Sequence, residues 1–233
     1  MAAGTVLQLF AKAPVAGAVK TRLIPPLDAA GAVALHRRLT ERAAAAVAAA
    51  CAAIPDARSE LWCSPGADDP WLRALANRHG LVPRVQPASD LGARMRSALA
   101  AAMPGRALLL GSDCPDLDAA YLIAARDVLE RADAVFAPAD DGGYALVGCR
   151  GRVPDCFGGI AWSTAAVMAQ TRTRLRAGAV RWIELPPVRD VDRPADLERL
   201  AADPRYADLL AGLYPSATTR SGADPVPTTQ PRR

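Results

Sequence analysis

The sequence predicts an α/β fold in which helices cover both faces of a mostly parallel sheet. Apolar, strand-like segments alternate with helix-like segments along most of the chain. That alternation favours parallel strands joined by crossover helices. In addition, "LLLGSD" (residues 108–113) is continuously apolar until its polar end, which is typical of a central strand buried on both faces.

The predicted elements follow from these patterns in chain order. Strands are expected at residues 6–11, 59–63, 82–86, 107–111, 134–138, 144–148 and 180–185. Helices are expected at residues 29–53, 69–78, 91–103, 119–131, 163–177, 194–202 and 205–214. Asp28 and Ser163 stand where N-caps of two of these helices would be needed.

Length and composition favour a single domain. The 233 residues are 51% hydrophobic but only 5% aromatic, as in an ordinary globular protein with an aliphatic core. We expect one domain over residues 1–214. Residues 215–233 are rich in Pro, Ser, Thr and Gly, so we expect them to form a disordered tail.

The bulk composition also argues against several classes of protein. The net charge is only +4, and no basic stripe with interleaved aromatic residues indicates nucleic-acid binding. Five cysteines without a CxxC pair, joined by only two histidines, make a zinc site improbable and indicate reduced thiols in the cytoplasm. The start lacks a basic signal-peptide region, and the uncharged run "AAAAVAAACAAI" is too short to span a membrane. The oligomeric state stays open.

The first strand leads into a basic loop within "LFAKAPVAGAVKTRL", residues 9–23. The chain has 28 basic residues, of which only two are lysine, and both lie here as Lys12 and Lys20, followed by Arg22. A compact ammonium binds a phosphate as a point charge, whereas guanidinium binds it as a planar fork. Together with Gly17, which lets the backbone approach a ligand, the loop predicts a di- or triphosphate site. The alternative is two ordinary surface lysines.

A carboxylate ends the most hydrophobic predicted strand. In "GSDCPDL", residues 111–117, Asp113 follows the strand and Cys114-Pro115 cannot continue it. A carboxylate at this point suits Mg²⁺ (or Mn²⁺), which is commonly held by one or two carboxylates together with substrate phosphates. Alternatively, Asp113 or Asp116 only organises the turn into the next helix.

The segment "PADDGGYALVG", residues 138–148, predicts a tight turn between two strands. A plain hairpin explains it. Because the turn would lie at the ligand-binding edge of the sheet, Asp141, Gly142, Gly143 and Tyr144 are also candidates for contact with a sugar or an acceptor.

The segment "RDVDRPADLERL", residues 189–200, is acidic. Pro194 and Asp196 fit the start of a helix, which accounts for much of this pattern. Asp192 lies just before that start and is either a second metal ligand or a cap. Arg94, one turn into another predicted helix, binds either a phosphate or a neighbouring carboxylate. We assign no catalytic role to His36 or His79.

Six motifs in order resemble one known family. They are "FAKAPVAGAVKTRL", "DLGARM", "LLLGSDCPDL", "APADDGGYALVG", "IAWST" and "DVDRPADLERL", and they cover about residues 5–202. The chain is similar to the bacterial rSAM/selenodomain-associated transferases, also called arsenosugar-biosynthesis glycosyltransferases. This resemblance implies a three-layer α/β/α, Rossmann-like GT-A fold of the nucleotide-diphospho-sugar transferase superfamily.

The resemblance also implies roles for particular residues. Lys12, Lys20 and Arg22 would face the nucleotide phosphates, Asp113 would bind the metal, and Asp192 would be the second metal ligand. Two departures matter. Gly111 stands where a D-x-D triplet would have its first aspartate, and Ala16 and Ala18 replace a proline and a lysine that many relatives carry.

Two reactions are compatible with these residues. In a glycosyltransferase acting in modified-sugar or secondary metabolism, Asp113 with its metal and Lys20 would stabilise the departing nucleoside diphosphate, with Asp141 as candidate base. In a nucleotidyltransferase of the pyrophosphorylase kind, the same charges would stabilise departing pyrophosphate. The residue chemistry slightly favours the second reaction, because a loop lysine and arginine beside the phosphates and a lone aspartate at a strand end fit the pyrophosphorylase pattern. The resemblance favours the first reaction, which we adopt. A non-catalytic nucleotide-binding protein is the third hypothesis.

Overall fold

The computed structural model describes residues 4–213, and a seven-stranded sheet forms its centre. The strands are β1 (Thr5–Lys12), β2 (Ala57–Ser64), β3 (Val82–Val85), β4 (Arg106–Leu110), β5 (Ala134–Pro138), β6 (Tyr144–Arg150) and β7 (Trp182–Glu184). All seven predicted strands are present, with ends that differ by no more than a few residues.

In the described part of the chain, seven α-helices connect or flank the strands. They are α1 (Ala29–Ala53), α2 (Pro70–His79), α3 (Leu91–Ala100), α4 (Ala119–Val128), α5 (Val167–Ala177), α6 (Pro194–Ala201) and α7 (Ala207–Leu210). Short 3-10 turns occupy Thr21–Leu23 and Pro204–Tyr206. The predicted last helix, 205–214, is in the structure this second 3-10 turn followed by α7; residue 214 lies outside the described residues.

The sheet is mostly parallel, as predicted. Its strand order is β3-β2-β1-β4-β6-β5-β7. Among the strands of residues 4–213, only β6 runs antiparallel, pairing with β4 on one side and with β5 on the other. The reason is the tight turn after β5, because a hairpin must return its second strand in the opposite direction. The hairpin prediction for residues 138–148 is therefore confirmed.

Helices cover both faces of the sheet, which gives three layers. On one face, α1, α2 and α4 pack aliphatic side chains such as Val47, Leu75 and Leu122 against the sheet. On the other face, α3 and α5 pack side chains such as Leu99 and Leu175. The predicted three-layer α/β/α fold is confirmed.

A third hydrophobic cluster packs the end of the described chain against the first half of α1. Leu35 and Leu39 of α1 pack with Leu197 and Leu200 of α6 and with Tyr206. This packing brings the segment that precedes α6 back across the sheet to the loop after β1. The position of that segment decides the geometry of the site described below.

Aspartates start four of the helices by accepting hydrogen bonds from backbone N–H groups. They are Asp28, Asp69, Asp90 and Asp118. The prediction of Asp28 is confirmed, whereas that of Ser163 is wrong. Helix α5 begins at Val167, its N-cap is Ala166, and Ser163 has a left-handed backbone conformation with φ of 64°. Residues 161–166 therefore form an irregular loop that packs against the turn after β5.

The predicted tail, residues 215–233, lies outside the described residues, so the division into one domain and a tail remains a proposal. Within residues 4–213, no helix is both long and apolar enough to cross a membrane. The five cysteines are all free thiols, and four of them are buried.

Gly148 of β6 tests the packing of the central sheet. A Cβ at this position would lie 2.4 Å from Cδ2 of Leu108 and 2.8 Å from Cγ1 of Val135. Gly148→Ala should lower the free energy of unfolding by about 1–3 kcal/mol because it overpacks the core. Chemical denaturation measures this.

Gly66→Ala is the matched control, since a Cβ there meets no heavy atom within 4 Å. It should change stability by less than about 0.5 kcal/mol. Equal stabilities for the two variants would contradict the packing described for β4, β5 and β6.

Candidate functional site

A cleft of about 880 Å³ lies at the carboxyl-terminal edge of the sheet. All four polar segments singled out in the sequence contribute to its walls: the loop after β1, the segment after β4, the turn after β5 and the segment before α6. Ligands of open α/β sheets bind at this edge. The four segments therefore lie together at one edge of the sheet, as the sequence predicted.

Lys20 is the most buried charged side chain of the basic loop. Its side chain is 3% exposed, and its Nζ lies 2.6 Å from Oδ1 of Asp113 and donates a 2.6 Å hydrogen bond to the carbonyl oxygen of Val191. Its backbone is left-handed, with φ of 49°. A non-glycine residue in this conformation is strained by about 1 kcal/mol, so surrounding contacts must hold it there.

The segments that carry Asp113 and Val191 are also joined directly. The backbone N–H of Val191 donates to the carbonyl oxygen of Asp113 over 3.0 Å. Lys20 thus closes a three-way contact among the basic loop, the end of β4 and the segment before α6. Within residues 4–213, no directed hydrogen bond reaches the buried Oδ1 of Asp113, which lies against the ammonium, whereas 48% of the Asp113 side chain is exposed.

Lys12 has a different environment. Its side chain is exposed, and its Nζ donates to the carbonyl oxygen of Ala18 over 2.8 Å, across the loop. The carbonyl oxygen of Lys12 accepts a 2.9 Å hydrogen bond from Nε2 of His36, a buried residue of α1. Burial lowers the pKa of His36, which favours the neutral ring. His36 therefore supports the backbone of the loop.

Arg22 makes a second ion pair across the cleft. Its Nη1 lies 2.6 Å from Oδ2 of Asp192, and the two side chains are 60% and 33% exposed. The loop after β1 thus places two cations against two acids that arrive much later in the sequence. Asp192 is not an N-cap, because Arg193 precedes α6 and the Asp196 carboxylate accepts from the backbone N–H groups of both Asp192 and Arg193.

Asp190 is the site residue that sequence reasoning missed. It lines the cleft and is half-buried, and burial together with the charges of Asp141 and Asp196 raises its pKa to about 6. The acidic segment "RDVDRPADLERL" indicated that an aspartate here could belong to the site. Its three aspartates cannot be told apart from the sequence, because they differ only in their surroundings in the fold. Asp190 gives the cleft an acidic wall opposite the basic loop.

The turn after β5 is built for close packing. Gly142 has φ of 89°, and a Cβ there would lie 2.3 Å from the carbonyl oxygen of Ala165. Oδ1 of Asp141 accepts a 2.8 Å hydrogen bond from the backbone N–H of Gly143, so part of this carboxylate stabilises the turn. Gly143 and Asp141 line the cleft, whereas Gly142 faces the 161–166 loop instead.

Aromatic side chains form the floor of the same region. Tyr144 packs edge-on against Phe136, with ring centroids 5.1 Å apart, and against Trp162 at 6.4 Å. Burial raises the pKa of the Tyr144 hydroxyl, which keeps it protonated. Both Tyr144 and Trp162 line the cleft.

Two predicted phosphate-binding residues differ in position. Arg94 lines the cleft, and its Nε donates to the carbonyl oxygen of Ser89 over 2.7 Å. Gly17 has φ of 74° and lies at the exposed tip of the loop, outside the walls of the cleft. Gly17 therefore shapes the turn of the loop, a role for which a left-handed conformation favours glycine.

The capacity for a metal ion rests on Asp113. Within the described part of the chain, no three His, Cys, Asp or Glu side chains come together in a way that could hold a metal ion. Mg²⁺ nevertheless needs only one or two carboxylates when phosphates supply the remaining ligands. Asp113 fits such a cation because its carboxylate lines the cleft and its side chain is 48% exposed, whereas Asp192 is engaged by Arg22.

Comparison with known proteins identifies the family. A family model described as "Uncharacterized protein conserved in bacteria (DUF2064)" matches residues 46–164, so the chain belongs to this family. No curated protein matches the sequence.

Solved structures are similar over most of the chain. A candidate nucleotide-diphospho-sugar transferase from Desulfovibrio desulfuricans G20 is 30% identical, covers 90% of this chain and 94% of its own, and superposes with a TM-score of 0.77. A 4-diphosphocytidyl-2C-methyl-D-erythritol synthase from Anaerococcus prevotii DSM 20548 is 9% identical, with 84% and 96% covered and a TM-score of 0.56. A CMP:2-keto-3-deoxy-manno-octonic acid synthetase complexed with CTP is 12% identical, with 85% and 97% covered and a TM-score of 0.52. The fold is thus that of the GT-A nucleotide-diphospho-sugar transferase superfamily.

The raised pKa of Asp190 makes stability depend on pH. Between about pH 4 and pH 6 the folded protein keeps a proton that the unfolded chain releases, so the free energy of unfolding falls as pH rises through this window. Asp190→Asn should therefore be more stable than the wild type at about pH 7.5, by on the order of 1 kcal/mol after allowance for solvent screening. At about pH 3.5 most of this gain should vanish.

Urea denaturation with a chelator present measures this difference. Asp155→Asn is the control, because the side chain of Asp155 is 86% exposed and lies outside the cleft. A gain of equal size at both pH values, or a loss at the higher one, would contradict the assigned environment of Asp190.

Proposed function

We propose that this protein is a metal-dependent glycosyltransferase that uses a nucleotide-sugar donor. The coarser part of this proposal, a transferase that acts on nucleotides or nucleotide sugars, is supported by the 30% identical candidate nucleotide-diphospho-sugar transferase, which matches over 90% of this chain. The finer part rests on the cleft. The acceptor is a small molecule, and the modified-sugar metabolism of the resembling family remains a prediction.

One observation carries the proposal: cations and carboxylates face one another across the edge of the sheet where ligands bind. Lys20 contacts Asp113 and Arg22 contacts Asp192, while Lys12 stands exposed beside them. A nucleoside diphosphate with a divalent cation carries both charges in one ligand. Its phosphates can take over the cations of the loop, and its metal can take over a carboxylate.

The cleft divides into two chemical halves that suit a donor and an acceptor. The half over β1 to β3 contains the basic loop, Gln86 and Arg94 and is the proposed nucleotide site. The half beside the turn after β5 contains Asp141, Tyr144 and Asp190 and is the proposed sugar and acceptor site. We assign Asp141 as the candidate base because its carboxylate is exposed at the junction.

In the proposed reaction, side chains of the protein itself supply most of the charge that stabilises the leaving group. Lys12, Lys20 and Arg22 would balance the charge that develops on the departing diphosphate, which is the main catalytic term in such a transfer. Asp113 would hold Mg²⁺ or Mn²⁺, which supplies further positive charge to the same oxygens when bound. Asp192, freed from Arg22, is the proposed second ligand.

Nucleotidyl transfer is the second candidate. Gly111 removes the first aspartate of a D-x-D triplet, so the end of β4 offers a lone carboxylate next to a lysine. That arrangement also suits a reaction in which pyrophosphate leaves.

The cytoplasmic location inferred from the cysteine pattern stays a prediction.

A thermal-shift screen distinguishes the two reactions. The purified protein is tested against nucleoside triphosphates and nucleotide sugars, each with and without Mg²⁺. A ligand at about a hundredfold its Kd should add roughly 2.7 kcal/mol of stability. A metal-dependent shift with a nucleotide sugar alone supports glycosyl transfer, and a shift with triphosphates alone supports nucleotidyl transfer. No shift with either set would contradict both.

Asp113→Asn tests the metal ligand. The variant should lose the metal-dependent part of the shift, because the isosteric amide carries no charge. Its melting temperature without ligand should be lower than that of the wild type, since the buried Lys20 ammonium loses its partner. Asp118→Asn is the control in the same segment, since asparagine caps α4 as well as aspartate does. An unaltered metal-dependent shift in Asp113→Asn would remove Asp113 from the site.

A further inference from the structure

We propose that Lys20 is an exchangeable counter-ion: its ammonium occupies the Asp113 carboxylate in the ligand-free protein and is displaced when a divalent cation binds there. This inference rests on the proposed function, in which Asp113 is the metal ligand. It adds a positioning role for Lys20 that couples binding of the metal to binding of the nucleotide.

The contact itself supports exchange at one carboxylate. Nζ of Lys20 lies 2.6 Å from the buried Oδ1 of Asp113, whereas 48% of the Asp113 side chain is exposed. Mg²⁺ would reach this carboxylate from its exposed side, at about 2.0–2.1 Å from an oxygen. Two cations would then share one negative charge and repel each other at short range. The ammonium and the metal therefore compete for Asp113.

The burial of Lys20 supports the same conclusion. With a side chain only 3% exposed and two acceptors at 2.6 Å, the ammonium presents almost no surface to a phosphate. If Lys20 is to neutralise a phosphate, as proposed above, it must first leave Asp113. Its four-carbon stem is flexible enough to turn into the adjoining cleft. Lys12, in contrast, is already exposed and needs no such release.

Displacement of the Lys20 ammonium would couple the binding of the metal to the binding of the nucleotide. In the ligand-free protein the metal must displace an internal cation, which weakens its binding. A phosphate that accepts the released ammonium removes this cost, so nucleotide and metal strengthen each other's binding to the same extent. The cleft would then hold metal poorly on its own and well together with a nucleotide.

Mn²⁺ binding to the nucleotide-free protein tests the proposal. Lys20→Met keeps the length of the side chain and removes the ammonium, and it should raise Mn²⁺ affinity at least about tenfold. Lys12→Met removes the same charge from the same loop without vacating Asp113. It should raise affinity by less than about threefold, since its charge is exposed and screened. Loss of the electron paramagnetic resonance signal of free Mn²⁺ measures both.

The outcomes separate this proposal from the proposed function. Weaker or equal Mn²⁺ binding by Lys20→Met, or equal gains in both variants, overturns the exchange. If Asp113→Asn also abolishes Mn²⁺ binding in those cases, the metal site stands and only the exchange fails. If Asp113→Asn leaves Mn²⁺ binding unchanged, the metal assignment fails as well.

The wild-type protein gives a second test that does not depend on the folding of a variant. Because the chain has only two lysines, selective ¹⁵N-lysine labelling yields two side-chain signals. The buried Lys20 ammonium should give a protected signal without ligand. Saturating Mg²⁺ should broaden or move it as the ammonium reaches solvent. A Lys20 signal that stays unchanged while Mg²⁺ saturates the site overturns the proposal.

Discussion

The buried ammonium of Lys20 is the interaction on which the site depends. It joins the loop after β1 to Asp113 at the end of β4 and to the carbonyl oxygen of Val191 in the segment before α6. These three segments come from distant parts of the chain. Their meeting needs the parallel order of β1 and β4 and the packing of α6 against α1, which returns the late segment to the sheet edge. The fold thus acts on the chemistry by fixing where one charge is placed.

The same principle extends over the whole cleft. Basic residues of an early loop and acidic residues of two later segments balance one another, with a buried lysine in one pair and an exposed arginine in the other. Buried charges are tolerated only when paired, so a site that must hold charged ligands needs internal partners when it is empty. A phosphate with a divalent cation replaces both partners at once. The glycosyltransferase and nucleotidyltransferase hypotheses share this feature and differ only in which bond of the ligand breaks.

The sequence predicted the fold well because its signals are local. Strand and helix periodicity, together with the Asp28 cap, marked most elements, and the Asp-Gly-Gly turn marked the hairpin. Sequence reasoning also gathered the charged segments at one edge. It did not foresee that Lys20 and Asp113 would contact each other, because contact across 93 positions is set by packing rather than spacing. The sequence did not predict Asp190 as a site residue for the same reason, because only its surroundings in the fold distinguish it from Asp192.

The most direct measurement is a crystal structure of the protein soaked with MnCl₂ and a nucleoside diphosphate, with Mn²⁺ located by its anomalous scattering. The account predicts one strong peak at the Asp113 carboxylate, with the Lys20 ammonium moved from Asp113 to a phosphate oxygen. The account would be contradicted if Mn²⁺ bound away from Asp113 while Lys20 stayed in contact with Asp113. It would also be contradicted if the phosphates bound outside the cleft.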